Sequence, residues 1–150
     1  MTVFVSIGKA QGSPQVEIVE LKELKEHEKV DPEHLKGLKE KIKSNNVLKR
    51  PIVVDRNTNV ILDGEHRFNS LKELGFSKIP VIFVDYNLSE ITVKSWREGK
   101  RLTKQIVIEA GLTQKKLPSR TSRHMVRISS KLKHISFMQK RVDIPLLRLQ

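Results

Sequence analysis

Cysteine is absent from this chain of 150 residues. That excludes a disulfide framework, thiol catalysis and a Cys-based zinc site. No apolar run approaches the ~18–20 residues that span a bilayer. The N-terminus has no basic region followed by a long apolar stretch, so a secretory signal is not expected. The expectation is a soluble, cytoplasmic protein with no membrane partner. Nor is there a Gly, four residues, Gly-Lys-Ser/Thr phosphate loop, a Gly-x-Gly-x-x-Gly turn, or a His pair at metal-ligand spacing with a third ligand nearby. Internal repeats and low-complexity tracts are lacking too. Acidic residues are scarce in one region only. Residues 91–150 hold 15 Lys+Arg against 3 Asp+Glu, whereas residues 1–90 hold 14 of each, so the whole net charge of +12 sits in the last 60 residues. Such a region usually meets an anion, either nucleic acid or phosphate.

What is present amounts to one modest core, with 37% hydrophobic and 31% charged residues. Residues 1–14, ending in Gly12-Ser13-Pro14, read as a mobile leader. Residues 15–21 alternate as a strand, and a loop carrying His27 and Glu28 follows. Asp31-Pro32-Glu33 is a helix start: an N-cap acid, Pro at the first helical position, and an acid near the positive dipole end. Leu35, Leu38 and Ile42 give that helix one apolar stripe, and Asn45-Asn46 ends it. Residues 51–55 and 60–62 are β-rich runs around Arg56-Asn57-Thr58-Asn59, a hairpin signal. A second helix turns Phe68, Leu71 and Leu74 inward and stops at Gly75. Strands are expected over 81–86 and 91–96. Leu102, Ile106 and Ala110 mark a third helix closed by Gly111. Residues 112–127 read as a basic, hydroxyl-rich loop, with a strand or two over 128–150. The pattern is a small α+β or α/β domain with a mixed sheet.

The densest chemical signal is Asp63-Gly64-Glu65-His66-Arg67, where a strand ends and a helix begins. The first helical N–H groups have no intrahelical partner, and the dipole adds positive charge there, so such an end holds phosphate. Gly64 allows close approach to the backbone, and His66 and Arg67 add side-chain donors. Asp63 either holds Mg²⁺ between phosphates or caps the helix; a capped turn with solvated charges is the plainer reading. Glu28 is a carboxylate that could take a proton from an attacking hydroxyl, or simply part of a solvated charged loop. Ser119-Arg120-Thr121-Ser122-Arg123-His124 concentrates phosphate-binding groups after Pro118, and a basic surface loop is its plain alternative. Trp96, the sole Trp, is either a core residue or a stacking surface. His34 is expected on the solvated side of its helix.

In order and content these segments resemble the ParB/sulfiredoxin superfamily, and within it most closely the free serine kinases, which phosphorylate free L-serine to O-phosphoserine. The resemblance covers roughly residues 16–97 and 117–127. It implies an α+β ParB/sulfiredoxin-like core over 15–97, a mixed sheet with flanking helices, and a basic extension over 98–150 that packs on the core and adds a phosphate loop. His27-Glu28 is similar to the kinases' His-Glu pair, which makes Glu28 the catalytic carboxylate and His27 a substrate contact. Trp96 is similar to their active-site Trp. Gly64, Glu65, His66 and Arg67, with Thr121, Ser122, Arg123 and His124, would bind the nucleotide's phosphates. Asp63 would be catalytic and hold Mg²⁺. The implied activity is phosphorylation of L-serine with ADP or ATP as donor. Glu65 departs from the kinases, which carry His there, and the connection over 97–116 is shorter than theirs. The missing Cys excludes sulfiredoxin activity. A ParB-like DNA-binding protein with nucleotide hydrolysis or nuclease activity is the rival reading. The basic half supports it, as does a faint helix-turn-helix start over 106–116, but Pro118 falls where the recognition helix would run. A nucleotide-binding module without turnover is a third possibility.

Overall fold

The computed structural model describes residues 15–150; the leader expected at 1–14 lies outside the described residues. In chain order the elements are β1 (Val16–Glu20), α1 (Pro32–Asn45), β2 (Val47–Leu48), β3 (Ile52–Asp55), β4 (Ile61–Asp63), α2 (Glu65–Glu73), β5 (Lys78–Val84), β6 (Ile91–Ser95), α3 (Lys104–Thr113), β7 (Ser122–Ile128), β8 (Lys131–His134) and β9 (Ile144–Pro145). Short 3-10 turns follow β1, β8 and β9. The fold is α+β, as the sequence pattern implies.

The central sheet runs β1-β5-β3-β4. β3 and β5 are parallel, while β1 and β4 flank them antiparallel, which makes the sheet mixed. Side chains alternate across these strands with the period of two that a pleated strand imposes. Ile52, Val54, Ile61, Ile79 and Val81 face one layer, packing with Ile42 of α1 and Phe68 and Leu71 of α2. Val53, Val60, Leu62, Ile82 and Val84 face the other, packing with Ile91, Val107 and Val126. The second layer is the antiparallel sheet β6-β7-β8 with α3. The sheet is therefore buried on both faces, which explains why its strands read as near-continuous apolar runs.

Local chemistry sets the boundaries that position the site. Asp31 caps α1 by accepting from the Glu33 N–H at 3.1 Å, and Asn46 ends it in the left-handed region at φ 59°. The β3–β4 hairpin turns on Asp55, whose carboxylate accepts from the N–H and hydroxyl of Thr58. Gly64 starts α2 at φ 112°, where a side chain is strained, and a Cβ there would collide with Ile52.

The C-terminal region departs from expectation at two points. α3 is capped by Thr103 and runs through Gly111 to Thr113. Its buried side holds Val107, Ala110 and Gly111, while Ile106 faces solvent. Gly111 is a packing residue rather than a stop: a Cβ there would lie 2.6 Å from a Val60 methyl. The expected loop over 112–127 gives way at Ser122 to β7, and no recognition helix follows α3. The tail supplies β8 and β9, in line with the strand or two expected; β9 pairs with β2, and Leu146 and Leu149 enter the helix-side core. Among the described residues no helix is long and apolar enough to cross a membrane.

Candidate active site

The segment carrying His27 and Glu28 is held on both sides by backbone hydrogen bonds. The Lys25 N–H donates to Asn59 O at 2.9 Å, and Lys25 O accepts from the Ile61 N–H at 2.8 Å. Opposite, the Leu117 N–H donates to His27 O and the Lys29 N–H donates to Leu117 O, both at 2.8 Å. The segment thus stitches the hairpin of the first half to the stretch entering β7.

Glu65 anchors this segment from below. Its Oε2 accepts from the N–H groups of His27 at 3.0 Å and Glu28 at 2.8 Å. Burial, then the negative charge of Glu28, pushes the Glu65 carboxyl well above its ordinary range. The His27 ring is wholly buried. Its Nδ1 lies 2.6 Å from Ile61 O and its Nε2 lies 2.8 Å from Ser122 Oγ. Burial lowers its pKa, against the opposing pull of Glu28.

The Glu28 carboxylate sits in a nest of donors at the start of β7. Oε1 accepts from the Ser122 N–H and hydroxyl, both at 2.8 Å, and from the Thr121 N–H at 3.2 Å. Oε2 accepts from the Arg120 N–H at 3.2 Å. Arg120 also lines an open cleft of about 850 Å³ with Asp31, Trp96, Arg97 and Ser119. Trp96 is 55% exposed there, with the Arg123 guanidinium 4.8 Å from its ring centre. Arg123 Nε is buried without a hydrogen-bond partner among the described residues. Arg97 donates to Ser119 O at 2.8 Å and to Thr121 Oγ1 at 3.2 Å, fixing the wall.

A second cluster surrounds the turn at Gly64. Asp63 Oδ2 accepts from Gln139 Nε2 at 2.7 Å, and Gln139 Oε1 accepts from Arg67 at 2.7 Å. Arg67 also donates to Pro51 O at 2.8 Å. It faces a cavity of about 270 Å³ lined by Leu38, Ile42 and Leu48 together with Lys41, Lys49 and Arg50. His66 Nε2 accepts from the Asp31 N–H at 2.9 Å, and its ring lies tilted at 42° against His34, with centres 4.3 Å apart.

A family model for the ParB N-terminal domain matches residues 7–95. The chain belongs to the ParB N-terminal domain family. A ParB-like protein of Sulfolobus acidocaldarius is 40% identical over 82 residues, which cover 55% of this chain and 41% of that protein. An ATP-dependent L-serine kinase of Staphylothermus marinus is 36% identical over 83 residues, 53% of this chain and 33% of the kinase. The match thus spans well under half of either relative. The solved structure of a free serine kinase in complex with AMP aligns with a TM-score of 0.78 at 14% identity, over 93% of this chain and 95% of that one. At that identity the likeness shows the fold.

Within this ParB N-terminal domain chain the candidate residues divide. Glu28, Thr121, Ser122 and Trp96 come together, since the Trp96 N–H donates to Thr121 O at 2.8 Å. Asp63, Gly64 and Arg67 form the neighbouring cluster. His27, expected to touch substrate, is turned inside. Glu65, expected at phosphate, turns its carboxylate to the His27–Glu28 backbone; only its N–H belongs to the first turn of α2. His124, expected at phosphate, is buried and hydrogen-bonded to the Tyr86 hydroxyl at 2.8 Å, with its pKa held well below the usual value by burial and then by His27. The expected phosphate loop over 121–124 is instead the entry to a strand. Gln139 was not singled out, because a tail Gln carries no motif. The His34–His66 contact joins two helices and leaves no local signal in the sequence.

Proposed function

We propose that this chain is a nucleotide-dependent kinase that transfers phosphate to the hydroxyl of free L-serine. The observation that carries this reading is the Glu28 carboxylate, fixed by three backbone N–H groups and a hydroxyl beside an open cleft. Phosphoryl transfer needs positioning and charge neutralisation more than covalent chemistry. A carboxylate held this rigidly is suited to orient a serine hydroxyl and take its proton. The N–H groups at the start of α2 and the Arg67 side of the turn offer a seat for nucleotide phosphates. The apolar wall of Leu38, Ile42 and Leu48 beside Lys49 and Arg50 suits a base and the charge next to it. Arg97 and Arg120, which line the cleft, are candidates for an anionic group there, with Arg123 behind them against the Trp96 ring. Among the described residues no three His, Cys, Asp or Glu side chains gather to hold a metal ion by themselves. Asp63 Oδ1, however, has no hydrogen-bond partner among those residues, while Oδ2 is taken by Gln139. Asp63 would hold Mg²⁺ through Oδ1, and the ion would offset phosphate charge. The donor is ATP or ADP, and the location cytoplasmic.

The test is to incubate the protein with L-serine, Mg²⁺ and either ATP or ADP, and to look for phosphoserine by mass spectrometry. Product with one nucleotide supports the reading; none with either overturns it.

One observation favours a second reading, binding of nucleic acid as in a ParB-like protein with nucleotide hydrolysis or nuclease activity. Residues 110–142 contain no acidic residue, and Lys94 and Arg127 stand exposed on the β6-β7-β8 sheet. DNA affinity that falls steeply with salt is its signature; affinity insensitive to salt rules it out.

A further inference from the structure

Ser122 has one hydroxyl proton and two neighbours that can accept it. His27 Nδ1 lies 2.6 Å from the Ile61 carbonyl oxygen, which can only accept, so Nδ1 carries a hydrogen. A neutral His27 then has its lone pair on Nε2, 2.8 Å from Ser122 Oγ. The other side of Ser122 Oγ lies 2.8 Å from Glu28 Oε1. With Glu28 ionised and His27 neutral, both neighbours are acceptors and one contact lacks a proton. One added proton satisfies the whole chain. It can lie between Glu28 and Ser122, with the Ser122 hydroxyl turned to His27, or on His27 Nε2, with the hydroxyl turned to Glu28. When the hydroxyl turns to His27, Glu28 Oε1 keeps the Ser122 and Thr121 N–H groups, but lone pairs then face each other across its 2.8 Å contact with Ser122 Oγ, and the added proton relieves that repulsion.

We propose that Ser122 and His27 form a proton relay behind Glu28, receiving through Ser122 the proton that Glu28 takes from the substrate hydroxyl. This rests on the serine-kinase reading and extends it to two residues that stand behind Glu28. In the step, the substrate O–H bond breaks and its oxygen forms a bond to the terminal phosphorus of the nucleotide. The bond from that phosphorus to the leaving phosphate oxygen breaks, and the leaving oxygen keeps the electron pair. The proton passes to Glu28 and is shared through Ser122 towards His27 Nε2. Release of the proton to solvent after phosphoserine leaves resets the chain. His27 is suited to the end of such a relay because burial keeps it neutral, with Nε2 open, at neutral pH. The groups facing it are Glu26 and Glu28 of its own segment, Asp63 of β4, Glu65 of α2 at 3.5 Å, and His124 of β7 edge-on at 5.9 Å. Ser122 and His27 are positioning residues in this scheme.

Two measurements test it. In turnover, Ser122→Ala lowers kcat roughly 10- to 100-fold, with KM for serine and nucleotide changed by less than about twofold, and Ser122→Thr restores most of kcat. A loss confined to KM, or an equal loss in Ser122→Thr, overturns the relay. The second needs no activity: ¹⁵N-histidine NMR of the free protein follows His27 against pH. His27 appears as the neutral form with hydrogen on Nδ1 at pH 7, and Ser122→Ala moves its titration. An Nε2–H form at pH 7, or a titration identical in Ser122→Ala, overturns it. If wild-type protein makes no phosphoserine, the kinase reading fails by itself, and the NMR result still decides whether the three residues share a proton.

Discussion

The first ninety residues and the last sixty play unequal parts in this molecule. The former are charge-neutral and carry the motifs that shape local structure: the capped start of α1, the hairpin, and the turn from Asp63 to Arg67. The latter are basic and carry Trp96 and the run from Ser119 to His124, and they hold the residues of the first part in place. Glu28 is gripped by the backbone of Arg120, Thr121 and Ser122. Asp63 and Arg67 are joined through Gln139. Glu26 is paired with Lys116 at 3.1 Å. In the proposed site the first region offers Glu28 and the second the backbone that grips it, so a family match ending at residue 95 covers only one side of it.

Breaking the chemical half alone gives the largest effect. Glu28→Gln keeps the shape and a hydrogen-bond acceptor but removes the carboxylate proposed as the base. Phosphoserine formation is expected to fall roughly 10²- to 10⁴-fold, with circular dichroism and nucleotide affinity nearly unchanged. A fully active Glu28→Gln protein means that the carboxylate is structural.

The turn at Gly64, the proposed phosphate seat, is next. Gly64 combines φ 112° with a Cβ position inside the Ile52 side chain. Gly64→Ala therefore meets backbone strain and a core collision together, and is expected to lose about 2–4 kcal/mol of stability in urea titration. A loss under about 0.5 kcal/mol would mean that α2 shifts freely, against the packing of Phe68 and Leu71.

On the supporting half, Gln139→Leu tests whether the tail positions the turn. The substitution leaves Asp63 and Arg67 facing each other at 3.8 Å without the amide that bridges them. A loss of about 1–3 kcal/mol is expected, with weaker nucleotide binding measured by calorimetry. Unchanged affinity would detach the tail from the site.

The same division governs what could be read in advance. Asp31-Pro32, the hairpin tetrapeptide and Asp63-Gly64 are signals made within a few residues, and each holds in the fold. Failures occur where a distant residue decides the outcome. Gly111 looks like a helix stop until Val60, fifty-one positions earlier, is known to press on it. Residues 121–124 look like a loop because their hydroxyls and charges hide the pairing of β7 with β6, fixed by Ile91 opposite Val126 and Val93 opposite His124. Glu65 looks like a phosphate neighbour because local pattern does not say which side of the first turn of α2 faces inward. In the fold that side meets the His27–Glu28 backbone.

Glu65 also gives the smallest effect, one visible as a dependence on pH. Its carboxyl is raised in the folded state by burial and by Glu28. From the ordinary carboxyl value of 4.5 upward, the unfolded chain releases this proton while the folded chain keeps it. The unfolded state then binds fewer protons, so this group's contribution to stability falls as pH rises through that window. Glu65→Gln retains an oxygen to accept the His27 and Glu28 N–H groups but has no proton to lose. The stability of the Gln variant relative to wild type should therefore improve in thermal melts as pH rises above 4.5, until the folded carboxyl also ionises. A difference that stays flat with pH would mean that Glu65 is ionised in the fold throughout, and that the two N–H groups alone offset its burial.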